Sequence, residues 1–331
     1  MYETKKIRNQ ILEGDVLKNL KKLPDNYFHT VVTSPPYFHL RDYHSNEQIG
    51  LERSPNEYLE KIVEVFQEVK RVLRPEGTLW IIIGDSYSYT NWKEEETGNY
   101  PIRIHNLKRK DLIGIPWRVA FALQDSGWYL RQDVLWEKPN AKPESVKDRC
   151  TRSHEYIFQF SKTPNYFYNS EAISEPALSL IPGHKSFRRS AVDVRNYGRV
   201  AYLTKRGKSA RTIRERKNKR SVWKITTRAS KTSHAATFPK ELVETCVKAS
   251  TSRIGVCCVC GSQVKENLSC GHDSILERPK VLDPFSGSGT TAVVSLNLNC
   301  EYTGIELNPV YVRESRIRIE EESNLFSVQI E

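Results

Sequence analysis

No apolar run in this chain of 331 residues approaches the roughly 18 that a membrane span requires, so a soluble globular protein is expected. The longest aliphatic and aromatic stretch, Leu79 to Ile83 within TLWIIIGD, suffices for a single buried strand. The opening MYETKKIRNQ carries no apolar segment of the secretory type, and export is not expected. Cysteine is scarce as well. Seven, unevenly spaced, are too few for a disulfide framework, which points to a reducing cytoplasm. No repeat recurs at a fixed period, so a solenoid or propeller is not expected.

Acidic residues are nearly missing from one stretch. Between Lys185 and Lys224 only Asp193 and Glu215 stand against 15 Lys and Arg; this surplus of +13 exceeds the +11 of the whole chain and leaves the other 291 residues at −2. A run this basic is either a solvated, disordered face or a surface for a polyanion. Phe187, Tyr197, Tyr202 and Trp223 are interleaved with the charge, and a purely solvating tail has no use for aromatic rings. The pattern therefore favours nucleic acid as the partner.

On either side of that stretch, strands alternate with helices. YFHTVVT reads as a strand stopped by Pro35 and Pro36, which cannot donate to a ladder. A helix follows, in which Ser54 caps, Pro55 takes the first helical position and Glu57 completes a capping box. Its apolar residues Leu59, Ile62, Val63, Phe66, Val69 and Leu73 recur at steps of three and four, so one face is buried. Pro75 and Gly77 end it before the strand TLWIIIGD. A second helix runs from about Pro116 to Gln124 and stops at Gly127, with strands in WYLRQDVLW and EYIFQF. Past the basic run, PKELVETCVKAS reads as a helix, KVLDPF as a strand, SGSGTTAVVSLNL as a glycine-rich turn entering a helix, and EYTGIEL as a last strand. The expected fold is one α/β domain of two separated segments, residues 1–164 and 236–331, with a basic module at 165–235 between them.

Two motifs carry chemistry. In KVLDPFSGSGTTAV, Asp283 stands at the carboxyl end of a strand, Phe285 follows, and Gly287 and Gly289 lie in the turn where the backbone can approach a ligand. A lone Gly-x-Gly is weak evidence, but Glu306 ends another strand 23 residues beyond Asp283, where an acid can accept from ribose hydroxyls. The pair points to a nucleoside cofactor. Thr290 and Thr291 stand where a phosphate loop has Gly-Lys-Ser/Thr, so a phosphate loop is excluded. The second motif is TSPPY, Thr33 to Tyr37, after an apolar strand and about 20 residues beyond Gly14-Asp15.

Taken together, Gly14-Asp15, TSPPY, DPFSGSGTT and GIELN resemble the amino-methylating DNA methyltransferases of the β group, whose catalytic motif precedes the recognition region and whose cofactor motif comes last. The resemblance spans nearly the whole chain except the basic module. It implies a Rossmann-like fold with an inserted recognition region, S-adenosyl-L-methionine as cofactor and double-stranded DNA as substrate. A restriction endonuclease sharing the site is implied as a functional partner. Carried over by motif, Ser34, Pro35, Pro36 and Tyr37 are catalytic. Gly287 and Gly289 lie beneath the cofactor, Asp283, Phe285 and Thr290 beside it, Glu306 on its ribose and Asp15 at its adenine. Phe238 and Pro239 of TFPKELVE stand at its methionine end.

The chemistry accounts for these residue types. An exocyclic amino nitrogen is a poor nucleophile because its lone pair is delocalised into the ring. Two acceptors, the Ser34 hydroxyl and the Pro35 carbonyl, draw its hydrogens and free that pair, which is positioning and electrostatics rather than covalent catalysis. Tyr37 offers a flat face to a base flipped from the duplex. In this family Ser-Pro-Pro-Tyr usually accompanies N4-cytosine methylation, and Asp- or Asn-Pro-Pro-Tyr N6-adenine methylation. Cytosine N4 is therefore the expected target, adenine N6 the nearest alternative and a non-catalytic nucleic-acid-binding protein a further one. Carbon-5 methylation needs a cysteine nucleophile, and the Pro-Cys dipeptide typical of it is absent.

The third cluster is VCCVCGSQVKENLSCGHD. Cys257 and Cys260 form a Cys-x2-Cys knuckle that Cys270 and His272 complete as a tetrahedral zinc site, with Cys258 as an alternative ligand and free thiols as the other reading. Its place between a helix and a strand suggests a structural clip. Cys150, Cys246 and Cys300 read as packing residues. Asp85, and Arg41-Asp42-Tyr43, either touch a ligand or satisfy turn backbone. Monomer and homodimer both remain open. Replacing Arg188 and Arg189, or Arg216 and Lys217, by neutral residues is expected to weaken DNA binding and flatten its salt dependence by about one unit of slope per lost phosphate contact. Titrations across a salt series test this, and indifference to the changes identifies the run as a solvated face.

Overall fold

The computed structural model describes residues 7–40, 48–88, 107–108, 110–177, 200–202, 211–213, 216–227, 238–265, 270–272 and 275–323, with backbone only for 200–202 and 211–213. Arg41-Asp42-Tyr43, Phe187, Arg188, Arg189, Tyr197 and the Tyr202 side chain lie outside this description. The chain divides into two compact units, Met1–Tyr168 with Ser221–Glu331, and Asn169–Arg220.

The first unit is built on one eight-stranded sheet. Its strands are β1 (Gln10–Glu13), β2 (Phe28–Thr33), β3 (Leu73–Ile83), β4 (Tyr129–Glu137), β5 (His154–Ser161), β6 (Val222–Lys224) and, beyond a small hairpin of β7 (Val256–Cys257) and β8 (Leu276–Glu277), β9 (Lys280–Asp283) and β10 (Glu301–Glu306). The helices are α1 (Val16–Leu20), α2 (Pro55–Val72), α3 (Ile115–Asp125), α4 (Lys240–Ser250), α5 (Thr290–Asn297) and α6 (Pro309–Glu322). Across the sheet the order is β1-β10-β9-β2-β3-β5-β4-β6. From β1 to β3 every neighbouring pair is parallel, so the carboxyl ends of five strands share one edge. Strand β5 runs antiparallel to both β3 and β4, and β6 lies parallel to β4. The chain leaves β2 through α2 towards β3, and leaves β9 through α5 towards β10, on the other side. The boundary between β2 and β9 is thus a topological switch point, where ligands bind in sheets of this kind.

Local sequence explains the elements. Helix α2 starts as its caps require: Ser54 Oγ accepts from the Glu57 N–H at 3.2 Å, and Glu57 Oε2 reaches back to the Arg53 N–H at 3.1 Å, one residue earlier than a standard capping box. Its buried face is Tyr58, Ile62, Val65, Phe66, Val69 and Val72, while Leu59 and Val63 are half-buried beside it. The face is therefore turned slightly from the expected one, which brings the Tyr58 hydroxyl into the interior. Leu73, Arg74, Pro75, Glu76 and Gly77 do not form a loop. The helix hands over to β3 at Leu73, and the irregular register of β2 against β3 between Phe28 and Thr30 absorbs the proline.

Strands β2 and β3 are covered on both faces, and Trp80 is among the largest fully buried side chains. Its indole N–H donates to Ser250 Oγ at 2.6 Å, which also accepts from the Thr78 hydroxyl at 2.8 Å, so the end of α4 is pinned to β3. Trp223, at the end of the basic run, is a buried sheet residue on β6 whose ring lies 6.3 Å from that of Trp80. Cys246 and Cys300 are buried, but Cys150 is exposed, in an irregular segment outside the strands of the sheet. In the second unit Glu175–Pro176 pairs with Arg216–Lys217 and Val200–Tyr202 with Arg211–Ile213, both antiparallel. Within it Arg216 Nε donates to Ser174 Oγ at 2.7 Å and Lys217 pairs with Glu175 at 3.4 Å, so these two cations also brace the unit. No helix among the described residues is long and apolar enough to cross a membrane.

Ser250→Ala would strand the buried Trp80 indole N–H and leave the Thr78 hydroxyl only its 3.3 Å contact with the Thr30 hydroxyl. A loss of about 1–3 kcal/mol is expected in urea denaturation.

Candidate active site

Most of the expected site residues meet at the shared carboxyl edge. Ser34 to Tyr37 follow β2, Asp283 ends β9, Phe285, Gly287 and Gly289 follow it, and Glu306 ends β10. Asp15 stands just past β1, where the Gly14 N–H donates to the Glu306 carbonyl at 2.9 Å. Parallel pairing brings these distant segments together.

A buried carboxylate ties the two motifs across the switch point. Asp283 Oδ1 accepts from the Thr33 hydroxyl at 2.6 Å and from the Phe285 N–H at 3.1 Å, and Oδ2 accepts from the Thr291 hydroxyl at 2.7 Å. Burial pushes its pKa up to about 6, with the Thr33, Thr291 and Phe285 donors pulling the other way. The side chain placed beside a cofactor by motif is thus occupied within the protein, and Thr33, which sequence reasoning passed over, is its partner. The threonine that opens TSPPY was the available signal.

The Ser34–Tyr37 turn is held from three sides. The buried Tyr58 of α2 donates its hydroxyl to the Pro36 carbonyl at 2.8 Å. The His39 N–H donates to the Gly50 carbonyl at 2.7 Å, and Gly50 is required there: its φ is +112° and a Cβ would stand 3.0 Å from the Tyr37 carbonyl oxygen. The Tyr37 hydroxyl donates to Glu155 Oε2 at 2.8 Å, and Lys138, 4.2 Å from the centre of the Trp136 ring, forms an ion pair with Glu155 Oε1. Burial, reinforced by the Glu155 charge, raises the Tyr37 pKa well above the usual range, so it remains a neutral phenol. The ring lies against Gly84, where a Cβ would stand 2.8 Å from Tyr37 Cε2. Among the described residues no donor meets the Pro35 carbonyl, in contrast to that of Pro36.

The glycine turn suits a nucleoside. Gly287 and Gly289 take φ of 50° and 74°, and a Cβ on Gly289 would stand 3.1 Å from the Ser315 Cβ, so only glycine fits without displacing α6. Glu306 accepts from the Gly287 N–H at 2.8 Å on one oxygen and from the Asn308 N–H at 2.8 Å on the other. Burial raises its pKa, these two N–H groups opposing the shift. Each carboxylate oxygen keeps a second lone pair for a ribose hydroxyl. An acid fixed by the turn itself and a backbone free of side chains fit the sugar end of S-adenosyl-L-methionine.

The remaining residues divide. Asp15 Oδ1 caps α1 by accepting from the Lys18 N–H at 2.8 Å. Thr290 is buried, with its hydroxyl accepting from Arg318 at 3.0 Å. Phe238 and Pro239 lead into α4, with Pro239 at its N-cap. Asp85 serves the backbone: its Oδ1 accepts from the N–H groups of Ser86, Gly114 and Ile115 at 2.9–3.0 Å and thereby caps α3, whose own cap, Gly114, has no side chain to do so. Cys257, Cys260, Cys270 and His272 converge elsewhere, with their ligand atoms all within 4.8 Å of one another. Tyr58, Glu155 and Lys138 were missed because they act from other elements, where no local motif marks them.

Residues 28–316 match the sequence model of a family described as DNA methylase. The type II methyltransferase M.XycI of Xanthomonas campestris pv. cyanopsidis is 41% identical over 329 residues, covering 96% of this chain and 90% of that protein. M.SmaI of Serratia marcescens is 40% identical over 319 residues, covering 94% and 90%. Among solved structures, the cytosine-N4-specific PvuII DNA methyltransferase superposes with a TM-score of 0.57 at 18% identity, over 96% of this chain and 94% of that one. TTHA0409 of Thermus thermophilus, in complex with S-adenosyl-L-methionine, gives 0.55 at 21% identity over 96% and 95%. These two share the fold.

The Asp283 carboxyl gives the brace a pH signature. Its pKa is near 3.8 in the unfolded chain and about 6 in the fold, so the stability it contributes is full below about pH 4 and is lost as pH rises through about 6. Asp283→Asn removes this dependence. Between about pH 4 and 7 the wild type is expected to lose up to about 3 kcal/mol relative to the variant in denaturant titrations.

Proposed function

The chain belongs to the N6/N4 family of DNA methylases, and from that membership we propose that it transfers a methyl group from S-adenosyl-L-methionine to the N4 amino group of cytosine within a specific sequence of double-stranded DNA. The observation that carries this reading is the Ser34–Tyr37 turn at the switch point. Its backbone is clamped by Tyr58 and Gly50, one carbonyl is occupied and the next, at Pro35, meets no donor among the described residues.

In this reading the Ser34 hydroxyl and the Pro35 carbonyl accept the two hydrogens of the exocyclic amino group and return its lone pair to the nitrogen. The prolines keep both acceptors from relaxing towards other donors, so no reorganisation is needed during reaction. A serine hydroxyl also donates to the adjacent ring nitrogen, which is an acceptor in cytosine. Tyr37, fixed by Glu155 and backed by Gly84, is the platform for the flipped base. Glu306 and the Gly287–Gly289 turn hold the nucleoside of the cofactor, with Asp15 and Phe285 around it, Phe238 and Pro239 at the methionine end, and Asp283 and Thr290 supporting the turn. When bound, the cofactor supplies an electrophilic methyl group. Residues 165–235 are the proposed recognition region. A restriction endonuclease that cuts the same sequence is the proposed functional partner, which explains why a host would keep a methylase of this kind.

Ser34→Ala is expected to retain DNA and cofactor binding while losing about 10²–10³-fold in turnover, the scale of one preorganised polar contact to developing charge. Mass spectrometry of nucleosides from DNA methylated by the wild type should return N4-methylcytosine. N6-methyladenine without N4-methylcytosine moves the assignment to the adenine branch.

A further inference from the structure

We propose that Cys257, Cys260, Cys270 and His272 bind a structural zinc ion that fastens the hairpin of β7 and β8 to the edge of the sheet opposite the active site. The inference is independent of which base is methylated.

The geometry is that of a closed tetrahedral site. Zinc–sulfur and zinc–nitrogen bonds of about 2.3 and 2.0 Å set ligand-to-ligand edges of about 3.5–3.8 Å. Here Cys257 Sγ and His272 Nδ1 stand 3.8 Å apart, and all four ligand atoms lie within 4.8 Å of one another. None of the three cysteines is held in a disulfide among the described residues. Between Cys257 and Cys260 the chain turns as a metal knuckle does. The Gly261 N–H donates to the Cys257 carbonyl at 2.7 Å, the Cys257 N–H to the Ser262 carbonyl at 3.0 Å, and Gly261 takes a φ of 69°. Cys258 lies outside the cluster, so it is not one of the four ligands. Three thiolates and an imidazole in this arrangement select zinc among common divalent ions.

Among its described residues the hairpin has few buried apolar side chains. Val259 and Ile275 are 65% and 81% exposed, and Val256 and Cys257 are its buried apolar residues. Such a segment has too little core of its own to fix a conformation, and a metal supplies what is missing. The clip is then joined directly to three core elements and, through His29, to a fourth. From β3, Arg74 Nη2 donates to the Cys260 carbonyl at 2.7 Å, and its guanidinium packs so closely on Gly261 that a Cβ there would stand 2.5 Å away. From β2, the buried His29 donates from Nε2 to the Gly261 carbonyl at 3.0 Å while its Nδ1 accepts from the Lys280 N–H, the first residue of β9, also at 3.0 Å. At the end of α4, Gln263 Nε2 donates to the Ser250 carbonyl at 2.9 Å. These contacts meet the starts of β2 and β9, whose far ends carry Ser34 and the Gly287 turn. The protein fills all four positions, which leaves none for water or substrate, so the role is structural.

Metal analysis of the full chain, purified with neither chelator nor added zinc, tests the proposal. One zinc per chain is expected. Cobalt substitution should give the intense visible bands of a tetrahedral site with thiolate charge transfer. Cys260→Ser and Cys270→Ser should lose the metal and Cys258→Ser keep it, while His272→Cys retains four donors and so reports on the site even if the serine variants do not fold. Chelation should lower the melting temperature and open residues 255–277 to protease. Absence of zinc both as isolated and after incubation with zinc salts, an octahedral cobalt spectrum, or loss of metal from Cys258→Ser equal to that from Cys260→Ser would overturn the proposal.

Discussion

The hydrogen bonds of Asp283 to Thr33 and Thr291 are the constraint on which the active edge depends. They join β2, which delivers the Ser34–Tyr37 turn, to β9 and α5, which deliver the glycine turn, at the boundary where the chain departs in opposite directions. Parallel strands that meet there share little main-chain pairing, since β9 and β2 are matched only at Val281 with Thr30 and Leu282 with Val31. A buried carboxylate with three donors closes that short seam. The cost of burying it is visible in its raised pKa, and the gain is a fixed distance between the Ser34–Tyr37 turn and the glycine turn.

The other acids of the edge follow the same logic. Glu306 stiffens the turn from which it projects by accepting from Gly287 and Asn308. Asp85 caps α3, and Glu155 joins Lys138 to Tyr37. Each carboxylate satisfies backbone or side-chain donors that burial would otherwise leave unpaired. Preorganisation of this kind suits the proposed methyl transfer, which calls for placement of two neutral acceptors rather than a charged nucleophile.

Much of the fold was legible in the sequence because strands and helices of an α/β domain write their burial directly into apolar spacing. FHTVVT, LWIII, KVLD and EYTGIE are all strands of the sheet, and the Ser54-Pro55 start of α2 is where capping chemistry requires it. Misreadings fell where local signals compete with tertiary pairing. Pro75 and Gly77 look like a loop but lie in β3, because the partner strand shifts register to accommodate them. Trp223 looks like part of a basic surface but is taken into the sheet beside Trp80.

For the site, the sequence alone determined the motif residues and their order, since the chemistry demands specific groups at short spacings: Ser-Pro-Pro-Tyr, Gly-x-Gly, Cys-x2-Cys. Which of them hold the others in place was decided by the tertiary structure. Asp283 and Thr33 are 250 residues apart, and Tyr37 and Glu155 are 118 apart. No local pattern encodes partners at such separations, because a hydrogen bond across a sheet depends on strand order and register, and these exist only once the whole chain has closed around its core.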